Sequence, residues 1–130
     1  MSFITSADGK HGNAGTVVTP GFPLTAVTFS LTTTTAPGRI MGWGRVQANG
    51  TDVSTATVTV DLLVDGNVVD SSSEDVAPGA HTTVAVSGET VAGLISAGAH
   101  TVSLLVSAQG ATFTIDPTNG ASLMAQATTG

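Results

Sequence analysis

Apolar and polar residues alternate with a period of two along most of this chain, and no stretch shows the three-to-four spacing of a helix. From Leu24 to Thr35, Val27, Phe29 and Leu31 share one face while Thr28, Ser30 and Thr32 share the other. That is the pattern of a half-buried strand, ended by Pro37-Gly38. A second strand is predicted from Arg39 to Ala48, with Met41, Trp43 and Arg45 on one face and Ile40, Gly42, Gly44 and Val46 on the other. Ala56 to Val64 sets Val58, Val60, Leu62 and Val64 against Thr57, Thr59, Asp61 and Leu63. Asp65-Gly66 then predicts a tight hairpin into Val68-Val69, because both central residues of such a turn need positive φ.

Asp70 to Ala77 reads as a polar, acidic connection ending at Pro78-Gly79. Val84 and Val86 mark the next strand, and Thr90 to Ile95 is either a short strand or a packed loop. His100 to Ala108 is a strand with Val102, Leu104 and Val106 inward; Ala111 to Asp116 and Gly120 to Ala127 complete the series. About seven to nine short strands, separated by turn residues, predict an all-β fold: an antiparallel β-sandwich, with a jelly roll favoured. Residues 1–21, rich in Gly and small polar residues, are expected to form an N-terminal arm, and residues 22–130 a single sandwich domain. The arm is expected to be ordered by a neighbouring subunit or by addition to a sheet edge.

Charge changes this picture. Only 9% of the 130 residues are charged, against about 25% in an ordinary domain. Surface scaling gives roughly 6,300 Å² for a chain of this mass, so Thr, Ser, Asn and Gly must carry most of the solvated surface, or a partner must bury part of it. With a net charge of −6 and only Lys10, Arg39 and Arg45 as cations, nucleic acid is excluded as a ligand class. Neither a signal peptide nor a membrane span is predicted. The absence of cysteine removes disulfide and thiolate chemistry.

Candidate chemistry is sparse. His11, His81 and His100 stand 70 and 19 residues apart, unlike the short fixed spacing of a zinc site, and no Gly-x-Ser-x-Gly nucleophile motif is present. Asp61, Asp65, Asp70, Glu74 and Asp75 form a carboxylate cluster that matches no calcium-loop spacing and reads as solvated hairpin charge. We therefore expect no catalytic, cofactor-binding or metal site, and no enzyme activity. His100 has the parity of Val102 and Leu104, whereas His81 has the opposite parity to Val84 and Val86, so the two Gly-Ala-His-Thr segments open their strands in different registers. Trp43 between two glycines suits either sugar stacking or packing in a core or interface. Arg39 and Arg45 are expected to pair with carboxylates within or between subunits. Leu63, Leu105 and Met124 each oppose apolar neighbours in sequence and so lie on faces that a lone sandwich would leave wet. With Trp43, Arg39 and Arg45 they are the candidate interface residues.

The stretch Gly93-Leu94-Ile95-Ser96-Ala97-Gly98-Ala99-His100-Thr101-Val102-Ser103-Leu104, with the closing Ala121-Ser122-Leu123-Met124-Ala125-Gln126, resembles the C-terminal half of phage tail-fibre, tail and head-decoration modules of the jelly-roll type. Such modules are similar in fold to the C1q and tumour-necrosis-factor jelly rolls. The resemblance implies a bacteriophage virion structural protein, made in the host cytoplasm and assembling as a homo-oligomer, with a trimer favoured. Its other partners would be virion proteins such as the major capsid protein. The alternative is a receptor- or glycan-binding module of a phage fibre or bacterial surface, with Trp43 and the loops Thr32 to Arg39 and Asp70 to Gly79 as contacts.

Overall fold

A computed structural model describes residues 3–12, 15–33, 38–90 and 95–129. In chain order the strands are β1 (Phe3–Gly12), β2 (Val17–Val18), β3 (Leu24–Thr33), β4 (Gly38–Asn49), β5 (Ala56–Val64), β6 (Asn67–Val76), β7 (His81–Glu89), β8 (Gly98–Gln109), β9 (Phe113–Ile115) and β10 (Ala121–Thr129). Every pairing between them is antiparallel. The long strands make two sheets, β1-β10-β4-β7 and β3-β8-β5-β6, with β9 and β2 extending the first beyond β4.

This order is a ribbon folded across itself. The innermost pair is the hairpin β5-β6, and outside it β4 pairs β7, β3 pairs β8 and β1 pairs β10. Wrapping such a ribbon puts alternate pairs in opposite sheets, which is the eight-stranded jelly roll. The ribbon turns back at Asp65 and Gly66, with φ of 52° and 82°, the positive pair that the sequence requires there.

Alternation decides the core. Val58, Val60, Leu62 and Val64 from β5 and Val102, Leu104 and Val106 from β8 meet Ile40, Val46, Val84, Val86, Leu123 and Ala125 from the first sheet, all buried. The accessible surface is 6186 Å², close to that expected for one folded chain of this mass.

One expectation needs correction. Residues 70–76 are strand, not connection: β6 pairs β5 from Asn67 to Val76. The alternation was hidden because β6 is a sheet edge, so from Asp70 to Asp75 both of its faces are polar and only Val76 is buried. Residues 3–12 of the expected arm add to a sheet edge, as expected, since β1 ends the order of the first sheet. β1 pairs β10 from Phe3 to Gly12, and β2 pairs β9. Backbone hydrogen bonds hold such strands, and these do not require apolar side chains. The loop expected from Thr32 to Arg39 and the segment Thr90 to Ile95 lie in part outside the described residues.

Gly42 and Gly44 face inward from β4, where a Cβ on Gly44 would lie 2.5 Å and 2.8 Å from the Leu104 methyls and one on Gly42 3.2 Å from those of Leu62. The two leucines of the facing sheet thus rest on bare backbone. Gly44→Ala should destabilise the fold by about 1–3 kcal/mol through overpacking, and Leu104→Ala by about 2–5 kcal/mol through cavity formation. Urea midpoints check both; a Gly44→Ala variant as stable as the parent would contradict the close seating.

Candidate functional site

The outward residues of β4 are those of odd number, and the register sets their neighbours. Trp43 stands between Met124 on β10 and Ser87 on β7, Arg45 between Ser122 and Ala85, and Met41 between Gln126 and Glu89. Trp43 is 41% exposed and Met124 59% exposed, so an aromatic ring and a thioether share open sheet surface. Beside them runs an open groove of about 780 Å³, lined by Trp43, Arg45, Asp70, Ala85, Ser87 and Met124 among others. Small side chains at positions 85, 87 and 122 leave the tryptophan and arginine standing above their surroundings.

Asp70 reaches this groove from the other sheet. Its Oδ2 accepts the backbone N–H of Ser87 at 3.0 Å, and Val69 and Asp70 crowd Gly88 where any Cβ would lie 2.9 Å from a Val69 methyl. The carboxylate thereby covers an N–H on the open side of β7, a strand hydrogen-bonded to β4 alone. Reading Asp70 as solvated hairpin charge missed this. Ala85, Ser87 and Ser122 were also missed, though each has the outward parity of its strand and could have been found once β4 was paired with β7 and β10.

The candidate interface residues divide between two faces. Trp43, Met124, Arg39 and Arg45 lie on the β1-β10-β4-β7 sheet, whereas Leu63 and Leu105 are half-buried on the outer face of the other sheet. There Asp61 directly opposes Leu105, and Leu63 follows two residues along β5. Around them the face is hydroxylic: Thr28 bonds Ser103 at 3.0 Å, Thr59 bonds Ser73 at 2.8 Å, and the Ser71 hydroxyl donates to Asp61 at 2.5 Å. Arg39 pairs with Glu89 at 3.2 Å, and Arg45 has no ion pair among the described residues.

The carboxylates that cluster in sequence separate in space. Asp61 takes Ser71, Asp75 takes Thr57, Asp70 takes Ser87 and Asp65 takes His100, and no group of three potential metal ligands converges among the described residues. His81 is exposed, its Nδ1 2.6 Å from the Asn49 side-chain oxygen. The side chain of His11 lies outside the described residues.

His100 is buried and has a hydrogen-bond partner at each ring nitrogen. Its Nδ1 is 2.6 Å from Asp65 Oδ2 and its Nε2 is 2.7 Å from the Ser96 carbonyl oxygen, while Asp65 Oδ1 accepts the Thr101 N–H at 2.9 Å. Both partners of the ring are acceptors, so only the doubly protonated imidazolium satisfies both. The Asp65 hydrogen bond is the main reason its pKa is raised; the Ser96 carbonyl and the Asp65 charge add to this and burial opposes it. For Asp65, burial pushes the carboxyl up, but the His100 and Thr101 hydrogen bonds and the His100 charge outweigh it and leave its pKa lowered. The pair pins the β5-β6 turn to the start of β8. Among the described residues, no hydroxyl joins its hydrogen bonds.

Neither a protein-family model nor a curated protein matches the sequence. Solved structures align with nearly the whole chain. FlhE superposes with a TM-score of 0.50 at 11% identity, covering 99% of this chain and 98% of that one. The C-terminal domain of EclA, described as a sugar-binding protein, gives 0.39 at 16% identity over 95% of this chain and 77% of that one. Eiger TNF from S. frugiperda gives 0.49 at 8% identity over 95% and 92%. The likeness to FlhE is one of fold alone.

A raised His100 pKa stabilises the fold fully below its unfolded value of 6.5, and the gain is lost as pH rises through the folded value. Asp65, lowered, contributes above its unfolded value of 3.8 and loses that contribution as pH falls through the folded value. Between those two unfolded values both contributions hold. His100→Gln should therefore cost more stability at pH 5.5 than at pH 9, read from urea unfolding at each pH. An equal cost at both would contradict the charged pin.

Proposed function

We propose that this chain is a non-catalytic structural module of a phage virion, a capsid decoration or a tail or fibre component, that works by associating with other copies and with other virion proteins. The observation that carries this reading is the Trp43–Met124 pair, an aromatic and a thioether side by side on open sheet surface in a chain with very little charge. Contiguous exposed apolar surface of this kind marks association sites. The jelly roll and the resemblance of the His100 segment to phage modules supply the setting. The hydrogen bonds that occupy His81 and His100 support a role without catalysis.

A second reading has its own support. The Trp43 groove combines an exposed indole with Arg45, Asp70 and the hydroxyl of Ser87, the mixture of flat apolar surface and polar groups that a saccharide needs. On this reading the module binds a receptor or glycan.

Light scattering of the purified chain, with sedimentation alongside virions, tests the first reading. The expected mass is a multiple of 12.8 kDa, a trimer being the form the resemblance implies. Leu105→Asp should shift it toward the single chain, because burying a leucine is worth about 1.5–3 kcal/mol and burying an unpaired carboxylate is costly. A single-chain mass at every concentration, with retention on a glycan array that Trp43→Ala abolishes, would replace the first reading with the second.

A further inference from the structure

Each of the two patches described above sets apolar side chains beside one charged residue. On β4, Trp43 with its neighbour Met124 is followed two residues on by Arg45. On β5, Leu63 is preceded by two residues by Asp61, which faces Leu105 across the sheet. Arg45 therefore stands about 6.6–6.8 Å along the strand from Trp43, whereas Asp61 lies directly across from Leu105, and Leu63 is opposed by Ser103 and Val68. The charges have opposite sign, and the patches lie on opposite faces of the sandwich.

The charge around each patch is segregated in the same sense. The outer face of the β3-β8-β5-β6 sheet carries Asp61 and Asp75 and no cation among the described residues. The other outer face carries both arginines, of which Arg39 is already paired with Glu89. Asp70, in the groove beside Arg45, has Oδ2 committed to the Ser87 N–H.

Resting on the association reading, we propose that the Trp43–Met124–Arg45 patch of one copy docks on the Leu63–Leu105–Asp61 patch of a second copy. The occupant is a second copy because this chain itself carries the complementary patch. A contact between two copies of the second face would bring no cation to Asp61, because that face carries none among the described residues. Docking unlike faces sets Arg45 against Asp61 and aromatic against aliphatic surface. Such a contact is heterologous, and between opposite faces it propagates head to tail as a stack. At about 800 Å² per contact face, two faces would take about a quarter of the 6186 Å² surface, which a sandwich with two broad sheet faces can supply.

Charge exchange tests the pairing. Arg45→Glu and Asp61→Arg are made singly and together, with mass read by analytical ultracentrifugation and packing by the emission of Trp43, the only tryptophan. The parent is expected to grow in mass with concentration while its emission shifts to the blue. Each single exchange should weaken association by on the order of thirtyfold or more, and the double exchange should restore it. Asp61→Asn, which adds neither charge nor bulk, should weaken association in the same direction. Urea midpoints equal to the parent's establish that the variants fold. A multimer, trimer included, that ignores all the exchanges would overturn this pairing while leaving the association reading standing. A parent that stays a single chain at all concentrations would overturn both. A blue shift produced by added saccharide in the single chain would assign the groove to a glycan and also overturn the pairing.

Discussion

The seating of Leu62 and Leu104 against the glycine backbone of β4 is the constraint on which the other features depend. A jelly roll brings two twisted sheets together, and side chains from both faces normally share the space of about 10 Å between them. Here β4 offers only hydrogen at positions 42 and 44, and the facing leucines fill the room. The parity of β4 follows, with its glycines inward and Met41, Trp43 and Arg45 outward. The exposed tryptophan is therefore a consequence of how the core is packed. Moving it inward would also expose the buried Ile40 and Val46 and bring Arg45 into the core.

Polar groups do a second job at the margins of this core. Asp70 covers the edge of β7, His100 and Asp65 hold the tip of the ribbon against β8, and Asp116 accepts the N–H groups of Thr118 and Asn119 in the turn before β10. Each places one of the few charged or ionisable residues where a backbone group or a buried ring needs it. The sheet faces are left to Thr and Ser, with Met41, Trp43, Met124, Leu63, Val68 and Leu105 among their larger apolar members. Sparse charge is thus used to close the sandwich, and the broad faces remain compatible with close approach of another protein.

Much of this was legible in the residues. The alternation in β4, β5 and β8, the Asp65-Gly66 turn and the parity that His100 shares with Val102 and Leu104 all follow from a period of two, which depends only on local backbone geometry. What escaped was set by pairing. The strand character of β6 depends on β5 beside it, and the place of β1 depends on β10 far along the chain. Asp70 looked like one of five clustered carboxylates because nothing local shows which open edge it will meet. The candidate interface residues were chosen by apolar parity alone, which finds outward positions but not which sheet they share. Hence Trp43 and Met124 meet, while Leu63 and Leu105 lie on the opposite sheet.

The central claim is that these faces are for contact with protein. Oxidative footprinting resolved by residue measures this directly, since Met124 and Trp43 are both open to solvent in the isolated chain and both oxidise. Compared between dilute protein and the assembled state, the account predicts that both become several-fold less reactive on assembly, while the exposed Val53 region changes little. Assembly that leaves Trp43 and Met124 as reactive as in the dilute chain would contradict it.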